Sequence, residues 1–211
     1  MKSLNYLITI TAALALLPAC SNPTDSAPEV EAEVNETDSA IGFIGPVVDD
    51  FSDPKKNSLG IDRQFIDDTA AGGGTKTQHS FKKGILSATG EIIPPRGQPG
   101  WASTVLLLNP EGLPQDASAY QGIRLFVRVN KGDLSISVNS SEIQNFDYHA
   151  TPITRQSDGQ FHEVKIPFTK LKRAWSAQTQ LNTKTITGLS LVAFGIQKGS
   201  FDFEIDEVSF Y

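Results

Sequence analysis

Residues 186–211 read ITGLSLVAFGIQKGSFDFEIDEVSFY, and their alternation decides the fold. Leu189, Leu191 and Ala193 fall on one side of a first strand, and Phe201, Phe203 and Ile205 on one side of a second. Successive side chains leave a strand on opposite faces, so a period of two marks a half-buried sheet. Lys198-Gly199 supplies a turn between the two, since glycine is a strong local breaker. The other face of the second strand carries Asp202, Glu204 and Asp206, a polar set suited to water. These strands are read as the closing pair of a β-sandwich.

The residues upstream repeat the pattern. Val47 to Phe51 reads as a first strand, Asp53-Pro54 starts a turn, and a polar, glycine-rich stretch runs from Asp67 to Gln78. A strand is expected over Phe81 to Leu86, then a loop over Pro94 to Gly100 marked by its breakers,. Trp101 to Leu108 is a near-continuous apolar run, as expected of a strand buried on both faces,. Ile123, Leu125, Val127 and Val129 alternate with Arg124, Phe126 and Arg128, and Leu134, Ile136 and Val138 with Ser135, Ser137 and Asn139. Lys131-Gly132-Asp133 between them is a hairpin signal,. Phe146 to Ile153 and Phe161 to Phe168 form a further pair about Asp158-Gly159, and only Thr169 to Trp175 hints at a helical turn. About ten short strands without amphipathic helices specify an all-β sandwich or barrel rather than an α/β fold.

The N-terminal part has a different character. Lys2 precedes an apolar run from Leu7 to Leu17, which ends in Leu17-Pro18-Ala19-Cys20. Eleven residues are too few for a membrane-spanning helix, which needs about 20,. Residues 1–19 therefore read as a signal peptide, and its end resembles a bacterial lipoprotein signal whose cysteine, here Cys20, is lipidated. A lipid anchor of this kind attaches the protein to a membrane, each buried methylene contributing about 0.8 kcal/mol. Residues 20–44 then form an acidic linker with Asp25, Glu29, Glu31, Glu33, Glu36 and Asp38 ahead of residue 40 and no basic residue there. Such a composition cannot bury enough apolar surface to order itself, and it reads as a tether. The expected location is the bacterial cell envelope, at the outer membrane, with the folded domain over residues 45–211.

Charge and motifs exclude several function classes. Without Lys2 and the six tether carboxylates, residues 41–211 carry 17 of the 18 Lys and Arg and 18 of the 24 Asp and Glu, a net of about −1. A nearly neutral domain has no basic footprint for nucleic acid. Cys20 is the only cysteine, so no intramolecular disulfide, thiolate zinc site or dithiol centre can form,. Gly72 to Thr77 lacks the glycine-lysine spacing of a phosphate loop, His162-Glu163 is followed by Ile166 where a zinc helix needs its second histidine, and no Gly-x-Ser-x-Gly occurs,. His79 and His149 are isolated in sequence. Asp67, Asp68, Glu142, Asp147 and Glu163 are the carboxylates a glycosidase pair would draw on, yet nothing in the sequence marks two of them as desolvated partners,. No catalytic residues are assigned.

Several short motifs occur in a familiar order. They are Asp68-x-x-x-Gly72-Gly73-x-Thr75, Trp101-Ala102-Ser103, Ser118-x-Tyr120-x-Gly122-Ile123, Phe161 through Ile166-Pro167-Phe168, and Phe201 through Asp206-x-Val208. This order resembles the complex I intermediate-associated protein 30 family, whose domain is a galactose-binding-like jelly roll. The Pro167-Phe168 strand, Trp175 and the ending Ile205-Asp206-Glu207-Val208 are similar to family 11 carbohydrate-binding modules of the same architecture. The resemblance implies a galactose-binding-like jelly-roll β-sandwich of about ten antiparallel strands.

Two functions follow from it as expectations: binding of a polysaccharide or other envelope ligand, and, as the alternative, a protein-interaction or assembly role. It also implies a structural calcium held by Asp49, Asp50 and Asp206, against the plainer reading that Asp206 caps a backbone amide; no cofactor is required. For sugar, ring faces match the apolar face of a pyranose, and Trp101, Tyr148 and Trp175 are the candidates. Asp147, His149, Arg124, Arg128 and Gln197 are the polar partners considered with them. Each tryptophan has the alternative role of closing an end of the core.

Overall fold

A computed structural model describes residues 42–211. The signal peptide, Cys20 and the linker up to residue 41 lie outside the described residues. In chain order the strands are β1 (Gly42–Phe43), β2 (Val47–Asp49), β3 (Gln64–Asp67), β4 (Lys76–Lys82), β5 (Ile85–Ile92), β6 (Gly100–Leu107) and β7 (Gln115–Asp116). They continue as β8 (Gly122–Lys131), β9 (Asp133–Ser140), β10 (His149–Ile153), β11 (His162–Pro167), β12 (Lys172–Arg173), β13 (Ile186–Gly195) and β14 (Gly199–Phe210). Two single turns of 3-10 helix, Asp68–Ala71 and Phe168–Lys170, are the helical content among the described residues.

The strands form two sheets. One has the order β3-β6-β13-β9-β10-β12, with β7 and then β1 added at the end of β13. The other has the order β4-β5-β14-β8-β11, with β2 beside the end of β14. Leu106, Ile136 and Leu191 of the first sheet and Leu86, Leu125 and Ile205 of the second belong to one buried cluster. Burying each such side chain contributes about 1.5–3 kcal/mol. This is the all-β sandwich that the alternation predicts, and the inward residues named from the sequence, Leu189 to Ala193 and Phe201 to Ile205, are buried.

The partners of the strands differ from the expected ones. β13 and β14 do not close the fold as a pair: β13 lies between β6 and β9, and β14 between β5 and β8, in the opposite sheet. Lys131-Gly132-Asp133 is likewise no hairpin, because β8 and β9 belong to different sheets and Gly132 marks the corner between them. The expected pair about Asp158-Gly159 also separates, with β10 on β9 and β11 on β8. Phe81 to Leu86 is not one strand but the end of β4, a turn at Lys83-Gly84 and the start of β5; Lys83 and Gly84 have φ of 54° and 73°, and positive φ at two successive turn residues suits a tight hairpin. Thr169 to Trp175 holds the end of one 3-10 turn and then β12.

Asp49 enters the core at the end of β2. Its carboxylate accepts hydrogen bonds from Arg63 Nε at 2.5 Å and Nη2 at 2.7 Å, with both side chains wholly buried. The guanidinium lies over Phe51 and Phe81 and donates to the Asp53 carbonyl. Burial pushes the Asp49 carboxyl up, and the Arg63 fork opposes that rise. Removing one member of a buried ion pair leaves the other uncompensated, which costs about 3–5 kcal/mol. Arg63→Ala is therefore expected to lower the urea midpoint by a loss of that size. Unchanged stability would show that the pair does not hold β2 to the sheet.

Candidate functional site

The outward face of the first sheet is a groove with a volume of about 970 Å³, within the range of small-molecule sites. Its floor follows from strand alternation. In β6, Ala102, Thr104 and Leu106 are turned away from it, while Trp101, Ser103, Val105 and Leu107 line it. The apolar run of this strand is thus explained by a core on one side and a groove on the other, not by burial within the protein on both faces.

Pairing registers set the floor in rows across the strands. Gln64, Val105, Ser190, Ser137, Ala150 and Lys172 form one row from β3 to β12. Ile66, Ser103, Val192, Ser135 and Pro152 form the next, and Trp101 pairs with Phe194 beyond it. The small serines keep the floor low. The side chains of Gln64, Ser103, Ser137, Asn139 and Ser190 make no hydrogen bond among the described residues, and all five line the groove.

A buried carboxylate stands behind each wall. Asp68, wholly buried, accepts from the Thr75 amide at 3.1 Å, the Thr75 hydroxyl at 2.7 Å and the Trp101 amide at 3.1 Å. The Thr75 hydroxyl in turn accepts from the Ile93 amide. A Cβ at position 73 would lie 2.2 Å from the Asp68 carboxyl carbon, so this position requires glycine. The glycine-rich stretch is therefore a wrapping for Asp68, and through it the start of β6 and the Trp101 ring are positioned.

Asp147 performs the same task on the other side. It accepts from the amides of Tyr148 at 2.8 Å, Ala174 at 3.0 Å and Ser176 at 3.1 Å, and from Arg173 Nε at 2.8 Å. Burial alone would push this carboxyl up; the amides and the Arg173 guanidinium hold it well below the usual carboxylate range. The two segments joined here carry Tyr148 and Trp175, whose rings meet edge-on at 5.2 Å and 83°. Burial and the Asp147 charge raise the Tyr148 hydroxyl above its ordinary value.

Trp101, Tyr148 and Trp175, the rings singled out from the sequence, line this one groove. Trp175 is 60% exposed, so it does not close the core. Phe146 joins them unforeseen: it is 92% exposed with φ of 61°. A non-glycine residue held at positive φ with its ring in water costs the fold stability.

The polar partners considered in sequence are placed elsewhere. Asp147 lies behind the wall and His149 is buried, with Nε2 at 2.9 Å from the Thr179 carbonyl. Arg124 and Arg128 are on the second sheet, paired with Glu163 and Glu207, and with Glu204. Gln197 is an exposed residue of the β13–β14 link and does not line the groove.

The metal expectation meets a similar obstacle. Asp49 is engaged by Arg63, Asp50 turns back on the Ser52 amide and hydroxyl, and Asp206 is exposed on β14. Among the described residues, no three His, Cys, Asp or Glu side chains gather as metal ligands.

Comparison with known proteins agrees with the fold. The family model described as Complex I intermediate-associated protein 30 matches residues 50–205. The family 11 carbohydrate-binding module of the cellulase Lic26A-Cel5E of Clostridium thermocellum superposes with a TM-score of 0.55 at 16% identity, over 79% of this chain and 94% of that one. The same organism's family 11 module in complex with a β-1,3-1,4-mixed-linked tetrasaccharide gives 0.54 at 17% identity, over 78% and 94%. The agarase AgWH50C gives 0.51 at 10% identity over 77% of this chain, which spans 24% of the agarase. No curated protein matches the sequence.

The Asp147 wall has a pH signature. A carboxyl held low by its folded partners stabilises the fold above its unfolded value of about 3.9, and that contribution is lost as pH falls toward the folded value. Acid titration below about pH 4 is expected to loosen the 145–149 and 173–176 segments, seen as a change in Trp175 emission. Asp147→Ala should cost about 3 kcal/mol by leaving buried donors unpaired. Wild-type stability in that variant would contradict the role.

Proposed function

The chain belongs to the complex I intermediate-associated protein 30 family, and on the groove above we propose that it is a non-catalytic envelope protein that binds a polysaccharide. The observation that carries this reading is the combination of rings and unused polar groups. Trp101, Tyr148, Phe146 and Trp175 offer apolar faces, and Ser103, Ser137, Ser190, Asn139 and Gln64 between them have hydrogen-bonding capacity that the protein does not use. Pyranoses present both an apolar face and a rim of hydroxyls, so the two kinds of group serve one ligand.

The absence of chemistry in the groove supports a binding role. No Asp, Glu or His is among its lining residues, whereas glycoside hydrolysis needs two carboxyl groups about 5–10 Å apart across the scissile bond. Fold similarity to a module in complex with a tetrasaccharide, and to part of an agarase, is in keeping with a saccharide ligand. The family's description, association with complex I intermediates, is the ground for a second reading in which a protein occupies the groove.

The sequence around Cys20 supports attachment to a membrane through lipid, with the acidic linker holding the domain away from it. On this reading the protein sits at the outer membrane of a bacterial envelope. Cys20→Ser is expected to move it from the membrane to the soluble fraction and to abolish palmitate labelling; retention of the label would remove the anchor.

A glycan array followed by calorimetry tests the ligand. At least one polysaccharide should bind, and Trp101→Ala or Trp175→Ala should weaken it about tenfold, the value of one buried ring. Failure to bind any saccharide, together with capture of a stoichiometric protein partner that sugars do not displace, would decide for the second reading.

A further inference from the structure

We propose that the polysaccharide carries anionic groups, carboxylate or sulfate, and that Lys172 is the residue that recognises them. This rests on the polysaccharide reading of the same groove and specifies its ligand class.

The charges of the lining point one way. It includes Lys172 and Arg173 and no carboxylate, although the domain as a whole holds slightly more acids than bases. Arg173 is already engaged, its Nε on Asp147 and its Nη2 on Asn145, with only 11% of its side chain exposed. Lys172 is exposed, and its ammonium has no ion pair or hydrogen bond among the described residues. The groove therefore presents one uncompensated positive charge.

The opposite sheet supplies the contrast. There the arginines of β8 are matched by acids from neighbouring strands, Arg124 by Glu163 and Glu207 and Arg128 by Glu204. Those two arginines are neutralised by acids beside them, and the groove lining has no such acid. A carboxylate-free lining also removes the repulsion that an anionic polymer would otherwise meet, and it deprives neutral sugars of the charged acceptors that bind hydroxyls best.

Position completes the argument. Lys172 ends the row that contains Ser137 and Ser190, three strand spacings or roughly 14 Å from Ser190. A chain lying over the serine floor and against the Tyr148–Trp175 wall thus brings a substituent to the ammonium while its ring faces meet the aromatics. The rings hold the polymer; the lysine selects its charge.

The full chain in detergent micelles, titrated calorimetrically, tests this with four polymers: polygalacturonate, carboxyl-reduced polygalacturonate, a sulfated galactan and a neutral mixed-linked β-glucan. An anionic polymer is expected to bind more tightly than the neutral ones, and the arm that does so identifies carboxylate or sulfate. Lys172→Gln should weaken that arm about fivefold, as expected for one exposed ion pair, and leave any neutral binding unchanged. Added salt should remove the difference. Equal binding of neutral and anionic polymers, unaltered by Lys172→Gln, overturns the charge assignment and leaves the polysaccharide reading intact. No binding in any arm overturns both.

Discussion

Two buried carboxylates hold the walls of the groove on this sandwich. Asp68 and Asp147 are inaccessible to solvent or nearly so, and each collects backbone amides from segments far apart in sequence. A buried acceptor with several amide donors is expensive to leave unpaired, so the donors are held in one arrangement. Asp68 draws in the first amide of the Trp101 strand, and Asp147 draws in those of Tyr148, Ala174 and Ser176. The rings on the two sides are positioned by these acids, although neither acid faces the groove.

Between them, the sheet supplies a floor through alternation alone. Alternate residues of β6, β9 and β13 are turned to the core, and the intervening ones are four serines, three aliphatics, Asn139 and, at one end, Trp101 and Phe194. A water-facing sheet would carry long charged side chains there, as the other sheet does with its arginine and glutamate pairs. Small hydroxyl residues leave room for a ligand and retain hydrogen-bonding capacity for it. The difference between the two outward faces is the physical reason for assigning recognition to one of them.

Much of this was legible in the sequence because it depends on local rules. Alternation in Ile123 to Val129, Leu134 to Val138 and Phe201 to Ile205 reports which side chains are inward, and it does so whatever the partner strand. The three rings Trp101, Tyr148 and Trp175 could be named because large aromatics beside loops have few other uses. Strand partners were not legible: a glycine turn such as Lys131 to Asp133 has the same composition whether the chain folds back or crosses to the other sheet. Asp147 and Arg124 could not be separated from ligand-binding groups, since a carboxylate that caps amides and an arginine in an ion ladder have the residue types of a sugar site. Phe146 was hidden by its positive φ, which breaks the alternation just before β10. A usable signal did exist in Val192 and Phe194, apolar residues on the face of β13 that should have been polar if water covered it.

Assignment of amide and indole NH resonances, followed by titration with an oligosaccharide of a polymer that binds, tests the central claim most directly. The arrangement described here predicts shifts at the Trp101 and Trp175 indoles and along β6, β9, β10 and β13, with β8 and β11 unaffected. Shifts centred on the Arg124 and Arg128 face, or rings of the groove that do not respond while ligand is bound, would contradict it.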